Sequence, residues 1–379
     1  MSFEIRINGT PFALWKSATV QRSIDSNAGA FRFSNSTQSP IGSYPVKTGD
    51  FVEILVRGVR KIAGFVDEIS GSQSGASHTI DVSGRDNTQD LIDSSVPDSA
   101  KVTEGPIALW QLAAGVISAI GAEIGVVTSI GNASIDPFSS DDLQAAGAGE
   151  TCMAYLVSFA RKRQVYLVPD GSGNIVIYRP DSGNRSTDSI IHKPGEQNNN
   201  VVSYSFRQSQ QDRFRTYDCK SQDNFGYFAL AEYFGGGTNR NSSASDGQIR
   251  ETRYHQFQAE QSMGNKTCEK RAAEEANIRR ALGTTYTVSV PGAAQSDGNL
   301  WDFGQFVYVD DSYAGITGTY LIKTVEYAID TTGGTRTQLT MVPPDAYQVT
   351  AEPTKENARS ASTGKGYANQ TPKAQGTIR

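Results

Sequence analysis

A short strand pattern near the start of the chain recurs near its end. The first copy reads GDFVEIL (49–55) followed by GFVDEI (64–69), and the second reads GQFVYVD (304–310) followed by GTYLIKTVEY (318–327). In each copy a glycine and one spacer precede an aromatic residue and alternating apolar residues, the pattern of a strand with one buried face. Another glycine opens a second strand after a polar turn. Two such copies predict a duplicated domain, with other chain segments inserted between them.

The strands around the first copy define a first domain, residues 1–98. FEIRING alternates apolar and polar residues and ends at Asn8 and Gly9, a pair favoured in two-residue hairpin turns. FVEILV, GFVDEIS and HTIDVSG begin at residues 51, 64 and 78, and glycines close the turns between them. Short strands separated by turn residues predict a small β-barrel or sandwich.

The composition changes after this domain, and residues 99–200 predict an inserted α/β domain. TEGPIALWQLAAGVISAIG reads as a helix with Thr103 as its N-cap and Pro106 in its first turn. A second helix, about residues 150–163, ends in three basic residues, which suit the negative end of a helix dipole. VYLVPDGSGNIVIYRP then predicts a hairpin of two apolar strands around a glycine-rich turn.

Strand patterns return in residues 201–345 and predict a second barrel domain. The region at about 225–290 interrupts it with a polar loop, FGGGTNRNSSASDGQ, and a long helix, NKTCEKRAAEEANIRRALG. Residues 346–379 have almost no large apolar side chains, so we expect a flexible C-terminal arm. The predicted fold class is therefore mainly β with an α+β insertion, in which two similar small β-barrel domains flank an inserted α/β domain.

Charge and cysteine content exclude several functional classes. The net charge of −5 argues against bulk nucleic-acid binding, which requires a basic surface. Cys152, Cys219 and Cys268 form no CxxC pair, and their odd number argues against a disulfide framework. The first residues lack a signal-peptide pattern and no apolar window approaches eighteen residues. These features predict a protein made in a reducing cytoplasm, without stable membrane association.

The segment VSGRDNTQDLIDSSV (82–96) carries three closely spaced aspartates. Asp86, Asp90 and Asp93 would share one face of a helix, which is compatible with a metal site. However, Asx residues after a strand commonly cap the next turn, Arg85 can neutralise a carboxylate, and Leu91 can anchor the segment in a core. The structural interpretation is favoured: a junction toward the inserted domain formed by Gly84, Arg85, Asp86, Asp90, Leu91 and Asp93.

Other motifs predict turns and loops rather than chemistry. DGSGN (170–174) resembles the start of a calcium loop, but Ile175 occupies the position that requires glycine. The glycine run at 235–237 lacks the ending of a phosphate-binding loop. The three histidines show no HxxxH spacing, and no GxSxG motif is present. The sequence therefore predicts no catalytic residue, no metal site and no cofactor.

Three stretches carry a resemblance to a known family. VSGRDNTQDLIDSSV after GFVDEIS, LVPDGSGNIVIYRP in the middle, and LIKTVEYAIDTTGGTRTQLTMVPPDAY near the end resemble the tail protein P family, the baseplate hub proteins of Mu-like contractile-tailed bacteriophages. The likeness runs from about residue 3 to residue 347 in matching order. It implies a fold related to the T-even phage hub and to the N-terminal region of type VI secretion spike proteins.

The resemblance also implies partners and a location. Three subunits with two similar barrels each would form a homotrimeric, pseudo-six-fold ring, which adapts the six-fold tail tube to the three-fold central spike. The implied partners are the tail tube protein, the central spike protein and other baseplate proteins, with DNA passing transiently through a channel. The implied location is the baseplate of the virion, after assembly in the host cytoplasm.

Interface residues are expected on the repeated strands, whose aromatic and β-branched side chains suit cores and interfaces alike. The residues expected there are Phe51, Val52, Ile54, Phe306, Val307 and Tyr308. Two alternatives stay open at this point. A tail-tip cell-wall hydrolase would need paired carboxylates, for which only the Asp86–Asp93 cluster and Asp141–Asp142 are candidates. A carbohydrate-binding module is the other, given the 16 tyrosines.

Overall fold

The computed structural model describes most of the chain outside the last thirty residues. The described residues are 3–36, 44–74, 77–100, 102, 104–130, 135–140, 143, 145–163, 165–193, 195–196, 198–221, 240–258, 265–330, 333–344 and 347. The chain divides into a main unit, Met1–Asp212 with Ile278–Gln348, and a small unit that includes Arg213–Asn277. The predicted C-terminal arm lies outside the described residues, except for Tyr347.

The strands and helices of the described residues follow in chain order. The strands are β1 Phe3–Ile7, β2 Thr10–Pro11, β3 Ser17–Ser23, β4 Ala30–Ser36, β5 Phe51–Val56, β6 Val59–Ser74, β7 Ser77–Asp86, β8 Val126–Thr128, β9 Tyr166–Pro169, β10 Ile175–Tyr178, β11 Ile190–His192, β12 Ser203–Gln208, β13 Thr216–Ser221, β14 Arg240–Ser245, β15 Tyr254–Gln258, β16 Thr284–Pro291, β17 Phe306–Asp311, β18 Ile316–Asp330 and β19 Gly334–Val342. The helices are α1 Gln89–Asp93, a 3-10 turn Asp98–Ala100, α2 Leu109–Ile120, α3 Cys152–Lys162 and α4 Asn265–Leu282. The protein is mainly β, as predicted.

Thirteen strands of the main unit form one sheet, in which two sets of six strands have the same pairing order. The first set is β1-β5-β6-β7-β4-β3, and the second is β11-β17-β18-β19-β16-β12. Each set contains a short strand, a long strand and a β-bulge at the same place in the long strand. The sets differ at one end, where β1 pairs antiparallel with β5 but β11 pairs parallel with β17.

The two sets are joined rather than separate. β3 of the first set pairs antiparallel with β18 of the second, and one apolar core includes residues from both sets, among them Val52 and Val307. Alternate residues of each strand enter this core because successive side chains of a strand point to opposite faces. The prediction of two barrels is thus modified: the repeats share a sheet and a core, and closure of each into a barrel stays a prediction.

The inserted region builds a second core from its two longer helices and a small sheet. α2 and α3 cover the sheet β8-β10-β9, and Leu91, Leu112, Leu156, Phe159 and Ile177 are among the fully buried residues of this core. α3 begins at a Thr151 cap, whose hydroxyl accepts a hydrogen bond from the Ala154 amide at 3.2 Å. α2 begins at Leu109 and not near the predicted Thr103 cap, which lies outside the described residues.

The small unit contains a three-stranded sheet, β14-β13-β15, and most of helix α4. The sequence predicts a loop where β14 lies. Its serines and asparagine pair antiparallel with the central strand β13, and such pairing overrides a weak local propensity. The small unit has its own buried cluster around Cys219, Cys268 and Ala272. Among the described helices, none has the length and apolar composition that crossing a membrane requires.

Candidate functional site

The predicted junction leads from the last strand of the first set to the core of the inserted domain. β7 ends at Asp86, two residues beyond Gly84, and α1 begins at Gln89. Gly84 lies so close to its neighbours that a Cβ there would be 2.1 Å from the Phe65 carbonyl oxygen. No larger residue fits this position without displacing the strand.

Asp86 is a buried turn cap. One carboxylate oxygen accepts hydrogen bonds from the Thr88 amide at 3.1 Å and the Thr88 hydroxyl at 2.5 Å, and the other accepts from the Gly29 amide at 2.7 Å. Burial raises the pKa of Asp86 to about 6, although these donors act in the opposite direction. Both of its oxygens therefore accept hydrogen bonds from protein donors.

Arg85 holds the junction from the outside. Its guanidinium contacts Asp93 at 2.7 Å and Asp67 at 2.8 Å, which links the end of α1 to the long strand β6. Hydrogen bonding to Asp93, and then to Asp67, raises the pKa of Arg85 further, and the same contact lowers the pKa of Asp93. Arg85 is thus an ion-pair partner of Asp93, but not of Asp86.

The three aspartates do not share one helix face, so the geometry first considered for a metal site is wrong. Asp86 belongs to β7, whereas Asp90 and Asp93 lie on the short α1. Asp90 is exposed, and partial desolvation followed by the charge of Asp93 raises its pKa. Leu91, between them, is fully buried in the inserted-domain core. In the described part of the chain, no cluster of three or more His, Cys, Asp or Glu side chains is placed to bind a metal.

The DGSGN motif forms a turn between two strands. Asp170 accepts hydrogen bonds from the amides of Ser172 and Asn174, within the turn that joins the antiparallel strands β9 and β10. DGSGN is therefore a hairpin turn, as predicted. Asp141 and Asp142, the second hydrolase candidates, lie outside the described residues.

The interface residues named from sequence divide into core and surface. Val52, Ile54 and Val307 are fully buried within the chain, and Phe306 is 5% exposed. Val52, Ile54 and Val307 belong to the core that the two sets share, because alternate side chains of β5 and β17 point toward it. Phe306, next to Val307, points to the opposite face of the sheet and is buried in a second apolar cluster with Leu321. Phe51 is partly buried against Phe65, with ring centroids 5.5 Å apart, and Tyr308 is 48% exposed. Phe51 and Tyr308 stay as the two predicted interface residues that a second chain can reach.

A buried charged cluster, which sequence reasoning missed, connects three parts of the main unit. Lys61 of β6 contacts Asp302 at 2.6 Å, and Arg22 of β3 contacts the same carboxylate at 3.3 Å. Arg22 also donates to the Pro169 carbonyl of the inserted domain at 2.8 Å and lies over the Phe303 ring at 4.7 Å. These residues line a cleft of about 690 Å³.

The electrostatics of this cluster favour the ionised form of Asp302. Burial opposes ionisation of Asp302, but Arg22 and Lys61 outweigh it and hold its pKa below the usual range. Both cations are about 5% exposed. No local motif could reveal this cluster, because Asp302 lies 280 positions from Arg22 and 241 positions from Lys61 in the sequence. We call Arg22, Lys61 and Asp302 the charge lock.

One His–Asp pair was not anticipated either. His192 Nδ1 lies 3.2 Å from the buried carboxylate of Asp311, which also accepts from the Tyr286 hydroxyl at 2.6 Å. The other oxygen of Asp311 accepts from the amides of Tyr313 and Ala314, each at 2.9 Å. These contacts join β11, β16 and β17 without involving a serine or cysteine nucleophile, so the pair is explained as a structural link.

Comparisons with known proteins agree with the fold and with the predicted resemblance. Residues 2–86 match the family model described as Mu phage baseplate assembly protein GpP-like, N-terminal. The chain is 25% identical to the baseplate hub protein gp44 of Escherichia phage Mu over 372 residues, which cover 96% of this chain and 93% of that protein. This identity makes the chain similar to the phage Mu hub and distinguishes it from that protein itself.

Solved structures extend the similarity to the whole fold. A 43 kDa tail protein of prophage MuSo2 from Shewanella oneidensis has a TM-score of 0.78 at 24% identity, covering 92% of this chain and all of that one. An Escherichia coli type VI secretion component, described as similar to the T4 tail proteins gp27 and gp5, has a TM-score of 0.52 at 9% identity, covering 92% and 79%. The resemblance to the Mu-like baseplate hub family, and the wider fold relationship, are confirmed.

Proposed function

We propose, from this relationship to Mu-like baseplate hub proteins, that the chain is a structural hub of a contractile phage tail and a component of the virion baseplate. Three copies assemble, in the host cytoplasm, into a ring that joins the tail tube to the central spike. The ring leaves a channel through which DNA passes at ejection. The relatives' names describe tail components and not enzymes, which supports a mechanical role.

The observation that carries this proposal is the pair of matched strand sets in one chain. Three chains contain six such sets, which can present a pseudo-six-fold face to a six-fold tube. The inserted domain follows β7 of the first set, whereas the small unit interrupts the second set between β12 and β16. Each occurs once per chain and therefore three times per ring, which suits a three-fold spike. The strand sets thus provide the pseudo-six-fold symmetry, and the inserted domain and small unit provide the three-fold symmetry.

The contacts between the parts of the main unit support a rigid adaptor. The charge lock joins the first set, the inserted domain and the loop before β17, while Arg85 and Asp86 fix the exit of the chain from the first set. A body that transmits force between tube and spike needs such links between its parts. In this proposal Phe51 and Tyr308 lie near the partner surfaces, and the remaining named strand residues are buried within the chain.

The proposal is tested by the mass and shape of the purified protein. Light scattering is expected to give three times the chain mass of 40.8 kDa, and electron micrographs to show rings with six similar lobes. The ring is also expected to bind purified tail tube and spike proteins on opposite faces. A strictly monomeric protein at high concentration, with no ring in micrographs, would contradict the proposal.

A further inference from the structure

The two strand sets of one chain are joined by a single antiparallel seam. β3 pairs with the second half of β18 over seven residue pairs, from Ser17 opposite Asp330 to Ser23 opposite Thr324. Val20 and Tyr327 face each other at its centre, and both are fully buried. The long strand β18 therefore has one edge divided between two partners, with β17 along its first half and β3 along its second half.

The long strand of the first set is equivalent to β18. In both sets an aromatic residue of the short strand faces the residue just before the bulge. The matching positions are Phe51 opposite Phe65 before the bulge Val66/Glu68, and Phe306 opposite Leu321 before the bulge Ile322/Thr324. Glu68–Ser74 of β6 thus corresponds to Thr324–Asp330 of β18, the segment that holds β3.

The same reasoning makes β12 the equivalent of β3. Val20 of β3 faces Phe31, which in turn faces Gly84 of β7. In the second set, Phe206 of β12 faces Tyr286 of β16, which faces Met341 of β19. β7 and β19 occupy the same place in their sets, so Phe206 stands where Val20 stands in the first set.

Both equivalents lack the partner that the internal seam provides. Glu68–Ser74 pairs with β7 along one edge, and within the described residues no strand covers its other edge. β12 pairs with β16 alone among the described strands, and five of its six residues are exposed. Phe206, which matches a fully buried valine, is 45% exposed. An exposed edge strand of this kind is a template for pairing with another chain.

We infer that β12 of one subunit pairs antiparallel with Glu68–Ser74 of the next subunit, in the register of the internal seam. This inference rests on the proposed trimer and names the surface that closes it. The predicted partners across the seam are Ser203 with Ser74, Ser205 with Ser72, Phe206 with Gly71, and Ser209 with Glu68. Three internal seams and three of these intermolecular seams then alternate around the trimer. The intermolecular contact is heterologous, and three copies of it form a closed ring.

The side chains on the two edges suit each other. Phe206 would cover Gly71, which has no side chain of its own to protect the strand. Arg207 would lie diagonally across from Glu68 on the same face, where opposite charges attract. Both are exposed in the single chain. Main-chain hydrogen bonds would supply affinity, and these two contacts would set the register.

Disulfide trapping tests the register directly. Ser72 and Ser205 are exposed and would face each other, so oxidation of the S72C/S205C variant should produce covalent trimers on a non-reducing gel. The variant T19C/A328C is the positive control, because Thr19 and Ala328 face each other in the internal seam and should cross-link within one chain. The variant S72C/S209C is the offset control. In the proposed register Ser209 faces Glu68, which lies four residues, about 13 Å, from Ser72 along the strand.

A charge exchange tests the same seam without cross-linking. Arg207→Glu would place like charges on the diagonal and should raise the dissociation constant of the ring roughly two- to fivefold per seam. Glu68→Arg should do the same, and the double variant should recover the native value. Analytical ultracentrifugation over a dilution series measures all three against the native chain.

The outcomes separate this inference from the proposed function. Covalent trimers from S72C/S205C, with none from S72C/S209C, would establish the seam. A native trimer in which T19C/A328C cross-links but S72C/S205C does not would refute the seam and leave the hub proposal intact. A monomeric native chain would refute both.

Discussion

The charge lock provides the sharpest test of how the parts of the main unit are held together. In Asp302→Asn the side chain keeps its shape, but Arg22 and Lys61 lose the carboxylate that neutralises them. Both cations are about 5% exposed, so water from the adjoining cleft can replace the lost partner only in part. Breaking a buried ion pair by removing one partner typically costs 3–5 kcal/mol. Because the Asp302 side chain is 29% exposed, we expect a value near the lower limit, about 3 kcal/mol.

A pair with an exposed cation isolates the effect of burying the cation. Arg60 contacts Glu53 at 2.7 Å, close to the 2.6 Å between Lys61 and Asp302. Glu53 is 17% exposed, but the Arg60 side chain that would lose its partner is 42% exposed, against 7% for Lys61. Glu53→Gln should therefore cost at most about 1 kcal/mol. Urea unfolding, followed by tryptophan fluorescence at one protein concentration, measures both variants, and the buried Trp301 reports on this region.

A double variant tests the mechanism. Adding Lys61→Met to Asp302→Asn removes one of the two unpaired cations, so part of the lost stability should return. If Asp302→Asn shifts the free energy of unfolding no more than Glu53→Gln does, the lock does not stabilise the fold. If the second substitution restores nothing, buried charge is not the cause of the loss.

Three further predictions concern the junction and use the same unfolding assay. Leu91→Ala should lower the free energy of unfolding by about 2–4 kcal/mol, because Leu91 is fully buried. The loss should be larger than that caused by Ile92→Ala, because Ile92 is only partly buried; equal losses would contradict this packing. Gly84→Ala should be strongly destabilising, because the new Cβ would overlap the Phe65 carbonyl oxygen. Gly115 of α2 is surrounded by open space, so Gly115→Ala should raise the free energy of unfolding by about 0.5–1 kcal/mol. A Gly84→Ala variant as stable as the native chain would refute the close approach. Asp86 has a folded pKa of about 6 against an ordinary 3.8, so the folded state binds the proton first and this group adds stability as pH falls from 7 to 4, by up to about 3 kcal/mol. The difference between the native chain and Asp86→Asn should show this slope, and a flat difference would disprove it.

Much of the fold follows from local sequence, because strand periodicity and turn chemistry act over a few residues. FVEILV predicts β5 with its observed bounds, and Asn8 and Gly9 both adopt the positive φ that their hairpin turn requires. The repeated pattern predicts two equivalent hairpins, whose pairing and bulges match. The polar stretch that forms β14 is missed, since its strand character depends on pairing with β13.

For the junction, the sequence indicates the types of contact but not the residues that make them. The sequence indicates that Asp86 caps a turn and that Arg85 neutralises a carboxylate, and the structure identifies that carboxylate as Asp93, with Asp67 as a second partner. Asp67 is distant from the signature and belongs to another strand, so no local pattern points to it. The interface residues show the same limit, because an aromatic and β-branched strand has the same composition whether its side chains meet a core or a partner.

The sequence by itself determined most of the strands, the repeat, the inserted region and the family resemblance, since each depends on residues close together in the chain. Tertiary structure alone decided that β3 lies beside β18, that Arg22 and Lys61 share Asp302, and that Val52 and Ile54 are buried while Phe206 is exposed. These facts depend on contacts between residues up to about three hundred positions apart. Such contacts form only when the free energy of burial and pairing exceeds the entropy cost of closing the chain between them, and that balance belongs to the whole fold.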